Sequence, residues 1–446
     1  MKIDKNNVTY YQDENGNTDF RLANITSYIA EGLDFYDDES IPGYWLYIPV
    51  CMRLEGKLDT ERLKAALQHF IDSNQGLRMT LIPSGEGYKF RIINEIKLNI
   101  ETEVLPFSDP EENFEAAKKE VLRVINEVPD LENECLFHFR LFRLGENDHF
   151  LAMLFNHIAI DGQSMGVAVK QIVTSYLGIE VKELYSECSF MDFYKAQEKS
   201  RTEEVVAKNA EYWRNEFRDL PKVDYSGRKG ERPHTNEDFY LALSSAPIKE
   251  FCRKNNVTIS SLIISAFHYA QTALYGERDT AVTYSVANRM QLSHFTIVGP
   301  IVQLLSHRLK IEENDSYADI LKKTGKKVAE NVRYGNVWNK YIGSSRFVLS
   351  FMNQGGIEMT SSMGDGLDEV ELIPGLKTTM WQLPMIVNGV STYYLLVCIT
   401  ETKENIEISF AANTKFMPAE DLELFKKYIR QAIDDMLSDA SQTVRF

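Results

Sequence analysis

Apolar positions along the chain switch between two spacings, and the switches mark out alternating strands and helices. The run WLYIPVCMRLEG (45–56) is β-rich and reads as a strand. In the next run, LDTERLKAALQHFIDSN, Asp59 can cap a helix whose Leu63, Ala66, Leu67, Phe70 and Ile71 share one apolar face. DPEENFEAAKKEVLRVINEV (109–128) predicts a second amphipathic helix, with Pro110 in its first turn and acids at its positive end. CLFHFRLFRL and HFLAMLFN, joined by GEND, form a predicted hairpin whose second strand ends at Asn156. After Gly162 the spacing turns helical again, through Met165, Ala168, Ile172, Val173 and Tyr176.

A polar stretch, RDLPKVDYSGRKGERPHTNED (218–238), reads as a linker or exposed connection. Beyond it similar ingredients return. A strand FYLALSSA precedes helices around 247–255 and 258–275, then come strands TAVTYSVANR, RFVLSFMNQ and TYYLLVCIT, and an amphipathic closing helix begins at PAEDLELF. The expectation is an α/β (α+β) protein of two lobes, residues 1–178 and 179–446. A length of 446 residues fits two domains of about 200 residues each, and a cleft between lobes is a common ligand site.

Composition narrows the function classes. Hydrophobic residues make up 44% of the chain, enough for large cores. The net charge of −16 argues against nucleic acid and against an anionic membrane, because no basic stripe exists to replace phosphate counterions. The five cysteines (51, 135, 188, 252 and 398) are far apart and form no C-x-x-C; Cys51, Cys135 and Cys398 lie in apolar runs and are expected to be buried thiols. The first residues lack a signal-peptide core, and nowhere do 18 apolar residues run together, so a cytoplasmic protein is expected. No H-E-x-x-H, P-loop or helix-opening G-x-G-x-x-G occurs, and no metal is expected. Histidines 69, 138, 149, 234, 268, 294 and 307 are scattered; His138 and His268 read as packed or half-packed.

Two chemical patterns overlap in FLAMLFNHIAIDGQSMG (150–166). Gly162-x-Ser164-x-Gly166 has the shape of a hydrolase nucleophile elbow, but that motif needs a strand running straight into the serine turn. Here the strand ends about eight residues earlier, and a helix start packed close to another element accounts for the same small residues. The other pattern is His157-x-x-x-Asp161-Gly162. Ile158 and Ile160 are β-branched and Gly162 follows, so a strand-exit loop is expected rather than a helical turn. A histidine there could serve as a general base near neutral pH. Asp161 could orient the ring or pair with a distant arginine.

The strand, NHIAIDGQSMG and the following helix resemble the His-motif of nonribosomal peptide synthetase condensation domains, in the chloramphenicol-acetyltransferase-like superfamily. Further stretches resemble that family in order: residues 54–81, where Leu77, Arg78 and Thr80 match its L-R-T; SFMDFYKAQ and YWRNEF; SVANRMQLSHFTIVGPIVQLLSHRL (285–309), where Arg289 matches the arginine of a G-R pair; and FVLSFMNQ with FAANTKFMPAEDLELFKKYI. The resemblance spans about residues 20–440. Asn156 stands where the family has the first of two histidines, Gln75-Gly76 replaces H-E, and Ile301-Val302-Gln303-Leu304 replaces F-V-N-T. The D-F-G-W-G of plant-type acyltransferases is absent, which favours the synthetase branch.

The resemblance implies two chloramphenicol-acetyltransferase-like lobes in a V-shaped pseudo-dimer with a central tunnel, and a monomer. It implies amide-forming acyl transfer, in which an amine attacks a thioester. His157 would take the amine proton or hold the developing ammonium, Gly162 would offer its N–H to the oxyanion, and Asp161 with Arg289 would form a buried brace beside Asn156. No cofactor is bound; 4'-phosphopantetheine would arrive on a peptidyl or acyl carrier protein, or as acyl-CoA. Two alternatives stay open: a non-catalytic condensation-like module that recruits carrier or tailoring proteins, and a hydrolase using Ser164. QGGIEMTSSMGDG (354–366) is read as a mobile loop.

Overall fold

The structure is a computed structural model. It describes residues 11–12, 14–20, 47–84, 87–126, 135–220, 240–337, 341–342, 345, 347–352, 370–381, 395–402, 404–412 and 417–446. Most of the expected linker at 218–238 and all of the expected loop at 354–366 lie outside these residues. The chain forms two compact units. The first takes residues 1–199, 287–302 and 354–384, and the second takes 200–286, 303–353 and 385–446. A cut at 178 does not coincide with this partition, because residues 179–199, 287–302 and 354–384 belong to the first unit.

In the first unit, β1 (Tyr11–Gln12), β2 (Thr18–Phe20), β4 (Met79–Ser84) and β5 (Gly87–Ile92) make an antiparallel sheet in the order β1-β2-β5-β4. A six-stranded sheet carries the loop that follows Asn156. Its members are β3 (Tyr47–Gly56), β6 (Thr102–Val104), β7 (Phe137–Gly145), β8 (Asp148–Asn156), β13 (Val370–Ile373) and β14 (Leu376–Trp381), in the order β13-β14-β3-β8-β7-β6.

The central strand β8 shows why this sheet holds its position. Side chains alternate across a strand, so an apolar run with both faces buried must feed two cores. Leu151, Met153 and Phe155 join the core that contains Leu63, Ala66, Leu67, Phe70 and Ile71 of α1 (Thr60–Ser73). Phe150, Ala152 and Leu154 face Ala117, Val121 and Ile125 of α2 (Pro110–Asn126). The expected cap is present, with the Asp59 side chain accepting the Arg62 N–H at 3.0 Å. At the other end of α1, Arg78 donates to the Ile71 and Asp72 carbonyls and Asn74 to that of Phe70, so Arg78 closes the helix C-terminus. α3 (Gly162–Leu177) follows β8, and α4 (Phe190–Ser200) follows α3.

In the second unit, α5 (Glu203–Phe217), α6 (Ser245–Asn255), α7 (Ile259–Tyr275), α8 (Tyr317–Tyr334) and α9 (Ala419–Asp439) accompany a mixed sheet. Its strands are β9 (Tyr240–Ser244), β10 (Asp279–Val286), β11 (Gln303–Lys310), β12 (Phe347–Met352), β15 (Leu395–Glu401) and β16 (Asn405–Ala412), in the order β11-β10-β12-β15-β16-β9. β12 runs parallel to both neighbours, and the other pairs are antiparallel.

None of the five cysteines is in a disulfide, and Cys51 and Cys252 are buried. Cys135, expected inside, is exposed, because it precedes the first residue of β7 and so lies outside the paired region. Among the described residues no single helix is long and apolar enough to cross a membrane.

Candidate active site

β8 ends at Asn156, which is fully buried. Its side-chain Oδ1 accepts the Ile158 N–H at 3.0 Å, and its backbone carbonyl accepts the Ala159 N–H at 2.9 Å. Both bonds bend the chain out of the sheet, a turn in which an asparagine side chain imitates backbone. Ile158, Ala159 and Ile160 are each 0% exposed. Ile158 and Ala159 enter the core around Phe20, Phe90 and Phe190, and Ile160 enters the core of α1 and β8. These three anchors leave His157 as the half-buried side chain of the turn.

The Nδ1 atom of His157 is buried, and among the described residues no group meets it in good hydrogen-bond geometry, although the His157 and Ile160 carbonyls lie close to the ring. Burial lowers the ring's pKa from the usual imidazole value, against a smaller upward pull from the His157 and Ile160 carbonyls and the Asp161 charge. The ring is therefore neutral at neutral pH.

Asp161 is the N-cap of α3 and is 1% exposed. Its Oδ1 accepts from Ser164 N at 2.9 Å, Ser164 Oγ at 2.7 Å and Arg289 Nη2 at 2.9 Å. Its Oδ2 accepts from Arg289 Nη1 at 3.0 Å and from the backbone N–H groups of Ile301 at 3.1 Å and Val302 at 3.0 Å. Burial alone would raise this carboxyl, but the Arg289 charge and the bonds from Arg289 and Ser164 outweigh it, and the pKa falls below 3.8. The Arg289 side chain is 0% exposed. Asn288 beside it takes a left-handed backbone, φ 55°, which asparagine tolerates better than most residues.

Gly162 opens α3, so its N–H belongs to a first turn with no intrahelical acceptor. The structure thus brings Asn156, His157, Asp161, Gly162 and Arg289 into one stretch of the first unit. Ser164 is fully buried, and its Oγ lies within hydrogen-bond distance of Asp161, Arg289 and Gly299. Such a hydroxyl is closed to a bulky electrophile, which removes the support for a serine nucleophile. Sequence reasoning missed this role, although Asp161-x-x-Ser164 at a helix start is a recognisable capping spacing.

A family model described as Condensation domain matches residues 43–445. This chain belongs to the condensation domain family. Enniatin synthase of Fusarium equiseti is 25% identical over 313 residues, which is 66% of this chain and 10% of that protein. The chain spans a tenth or less of the length of the curated synthetases it first matches. Among solved structures, the first condensation domain of the CDA synthetase superposes with a TM-score of 0.67 at 17% identity, covering 95% of this chain and 96% of that one. A double mutant of the starter condensation domain of rhizomide synthetase, solved with C8-CoA and Leu-SNAC, gives 0.71 at 16% identity, with 95% of each chain covered. The fold is therefore that of condensation domains, as the His-motif resemblance implied.

Proposed function

We propose that this chain is an acyltransferase that forms an amide by attack of an amine on an acyl or peptidyl thioester, in nonribosomal peptide or lipopeptide assembly. The observation that carries the reading is the setting of His157. It is a half-buried imidazole, held neutral by its burial, on a turn fixed by three fully buried residues, five positions before a helix start that offers a backbone N–H.

The amine nitrogen bonds to the thioester carbon as the C=O π pair moves onto oxygen. His157 takes the ammonium proton or holds it as it develops; because Nδ1 is buried, the ring meets the substrate through Nε2. The Gly162 N–H, at the positive end of α3, supports the oxyanion. The C–S bond then breaks, and the departing sulfur carries the proton away as thiol. Asp161 and Arg289 hold the loop and are kept off the reacting atoms by their burial. The acyl group arrives as a phosphopantetheine thioester on a carrier protein, or as acyl-CoA, so carrier proteins and an amine substrate are the partners of this reading.

Single-turnover transfer from an acyl thioester to an amine tests it. A correctly folded His157→Ala protein should react on the order of 10²–10⁴-fold more slowly, and normal transfer would sink the His157 mechanism. In the wild-type protein the acid limb of kcat/KM should fall below 6.5, since the lowered pKa of His157 keeps the base unprotonated to lower pH. Binding of an acylated carrier with no turnover across many thioesters would instead support the non-catalytic reading.

A further inference from the structure

The hydroxyl of Ser164 has one hydrogen to give and two lone pairs, and its surroundings use all three. The shortest contact is to Asp161 Oδ1 at 2.7 Å, and a carboxylate is the stronger acceptor than the Gly299 carbonyl at 3.1 Å or the Ile297 carbonyl at 3.4 Å. The hydroxyl therefore donates to Asp161. It accepts from Arg289 Nη2 at 3.0 Å and from the Gly299 N–H at 3.2 Å.

The segment it reaches is tightly held. A Cβ added to Gly299 would lie 2.6 Å from Phe190 Cδ2, and one added to Gly76 would lie 2.7 Å from the Val298 carbonyl oxygen. Residues 297–299 are thus pressed between the Gln75–Arg78 turn and Phe190, with Ser164 meeting the Gly299 backbone. The Asp161 carboxylate then accepts from the N–H groups of Val302 and of Ile301, the latter shared with the Gly299 carbonyl at 3.1 Å. One hydroxyl joins the helix cap, the guanidinium and the incoming segment.

We propose that Ser164 is a positioning residue for the acyl transfer described above. It sets the angle of the Asp161 cap, and through it the direction of the Gly162 N–H and the seat of the His157 turn. It touches no substrate. This inference rests on the acyltransferase reading, because it assigns Ser164 a task in that reaction.

The test compares wild-type, Ser164→Ala and Ser164→Cys proteins in three measurements. These are kcat and KM for transfer from a small acyl thioester, amide hydrogen exchange at Gly299, and thermal unfolding. Alanine should lower kcat about 10- to 100-fold, the scale of a small misplacement, while KM changes less than about twofold on the same positional argument. Exchange at Gly299 should accelerate in alanine, and cysteine, which keeps a weak donor and acceptor, should recover part of both losses. Unchanged kcat in a folded Ser164→Ala protein overturns the proposal. So does a fall in kcat that cysteine leaves uncorrected, as does a case where both variants fail to fold. If His157→Ala is as active as wild type, the acyltransferase mechanism fails instead, whatever Ser164 does.

Discussion

The two units solve the burial of polar groups in opposite ways. In the first, the Asp161 carboxylate and the Arg289 guanidinium are removed from water together; Ser164, Ile301 and Val302 also donate to the carboxylate, and Arg289 and Gly299 donate to the Ser164 hydroxyl. In the second, His268 and His307 are both 0% exposed, and among the described residues no carboxylate acts on either ring. The Thr280 hydroxyl lies 2.7 Å from His268 Nδ1, His268 Nε2 lies 2.9 Å from His307 Nδ1, and His307 Nε2 lies 3.3 Å from the Thr324 carbonyl.

That carbonyl can only accept, so it decides the whole row. His307 carries its proton on Nε2 and accepts at Nδ1. His268 therefore donates from Nε2 and accepts at Nδ1, and Thr280 donates its hydroxyl. Burial, followed by the neighbouring His307, pushes His268 well below the usual imidazole value. Burial pushes His307 down to about 3, against an upward pull from the hydrogen bond to the Thr324 carbonyl and with a lesser repulsion from Lys327. A charged node is stable because its charges oppose each other; a neutral row is stable only while it takes up no proton.

The largest expected effect comes from halving the charged node. Arg289→Leu leaves a buried carboxylate without its cation and should cost about 3–5 kcal/mol in urea unfolding. His307→Leu orphans only a neutral N–H and should cost about 1–3 kcal/mol. Equal costs would abolish the distinction between the two regions.

Acid sharpens it further. The folded pKa values of His268 and His307 are depressed, so the unfolded chain binds more protons below 6.5 and stability falls as pH drops from there toward about 3. Asp161 is also depressed, but from 3.8, so its contribution is intact above that value and is lost only at lower pH. Replacing both histidines (His268→Phe with His307→Leu) should flatten the pH dependence of unfolding between 6.5 and 4. The expected change is at least one proton, about 1.4 kcal/mol per pH unit. An unchanged slope would show that the row contributes no acid sensitivity.

What could be read from the sequence follows the range of the interactions involved. The apolar face of α1, the β7–β8 hairpin and the helix after Gly162 follow from spacings of two to four residues, and all are present. The loop after Asn156 was legible because Ile158 and Ile160 resist helix and Gly162 permits a turn. Arg289 was linked to Asp161 only through the family pattern, since no local spacing relates residues 128 positions apart. The backbone partners Ile301 and Val302, the Gly299 contact and the meeting of His268 with His307 left no comparable trace. A backbone N–H has no residue identity, and two histidines 39 positions apart look scattered until β11 and α7 bring them together.

The allocation of residues 287–302 to the first unit has a consequence for biosynthesis. Asp161 leaves the ribosome 128 residues ahead of Arg289. At about 5–20 residues per second, that is an interval of about 6–25 s. Throughout it the cap of α3 holds a carboxylate whose cation and two of whose N–H donors have yet to be translated. The first unit therefore cannot finish folding in order of synthesis. It must wait, with its helix start open, for a segment encoded after β10 of the second.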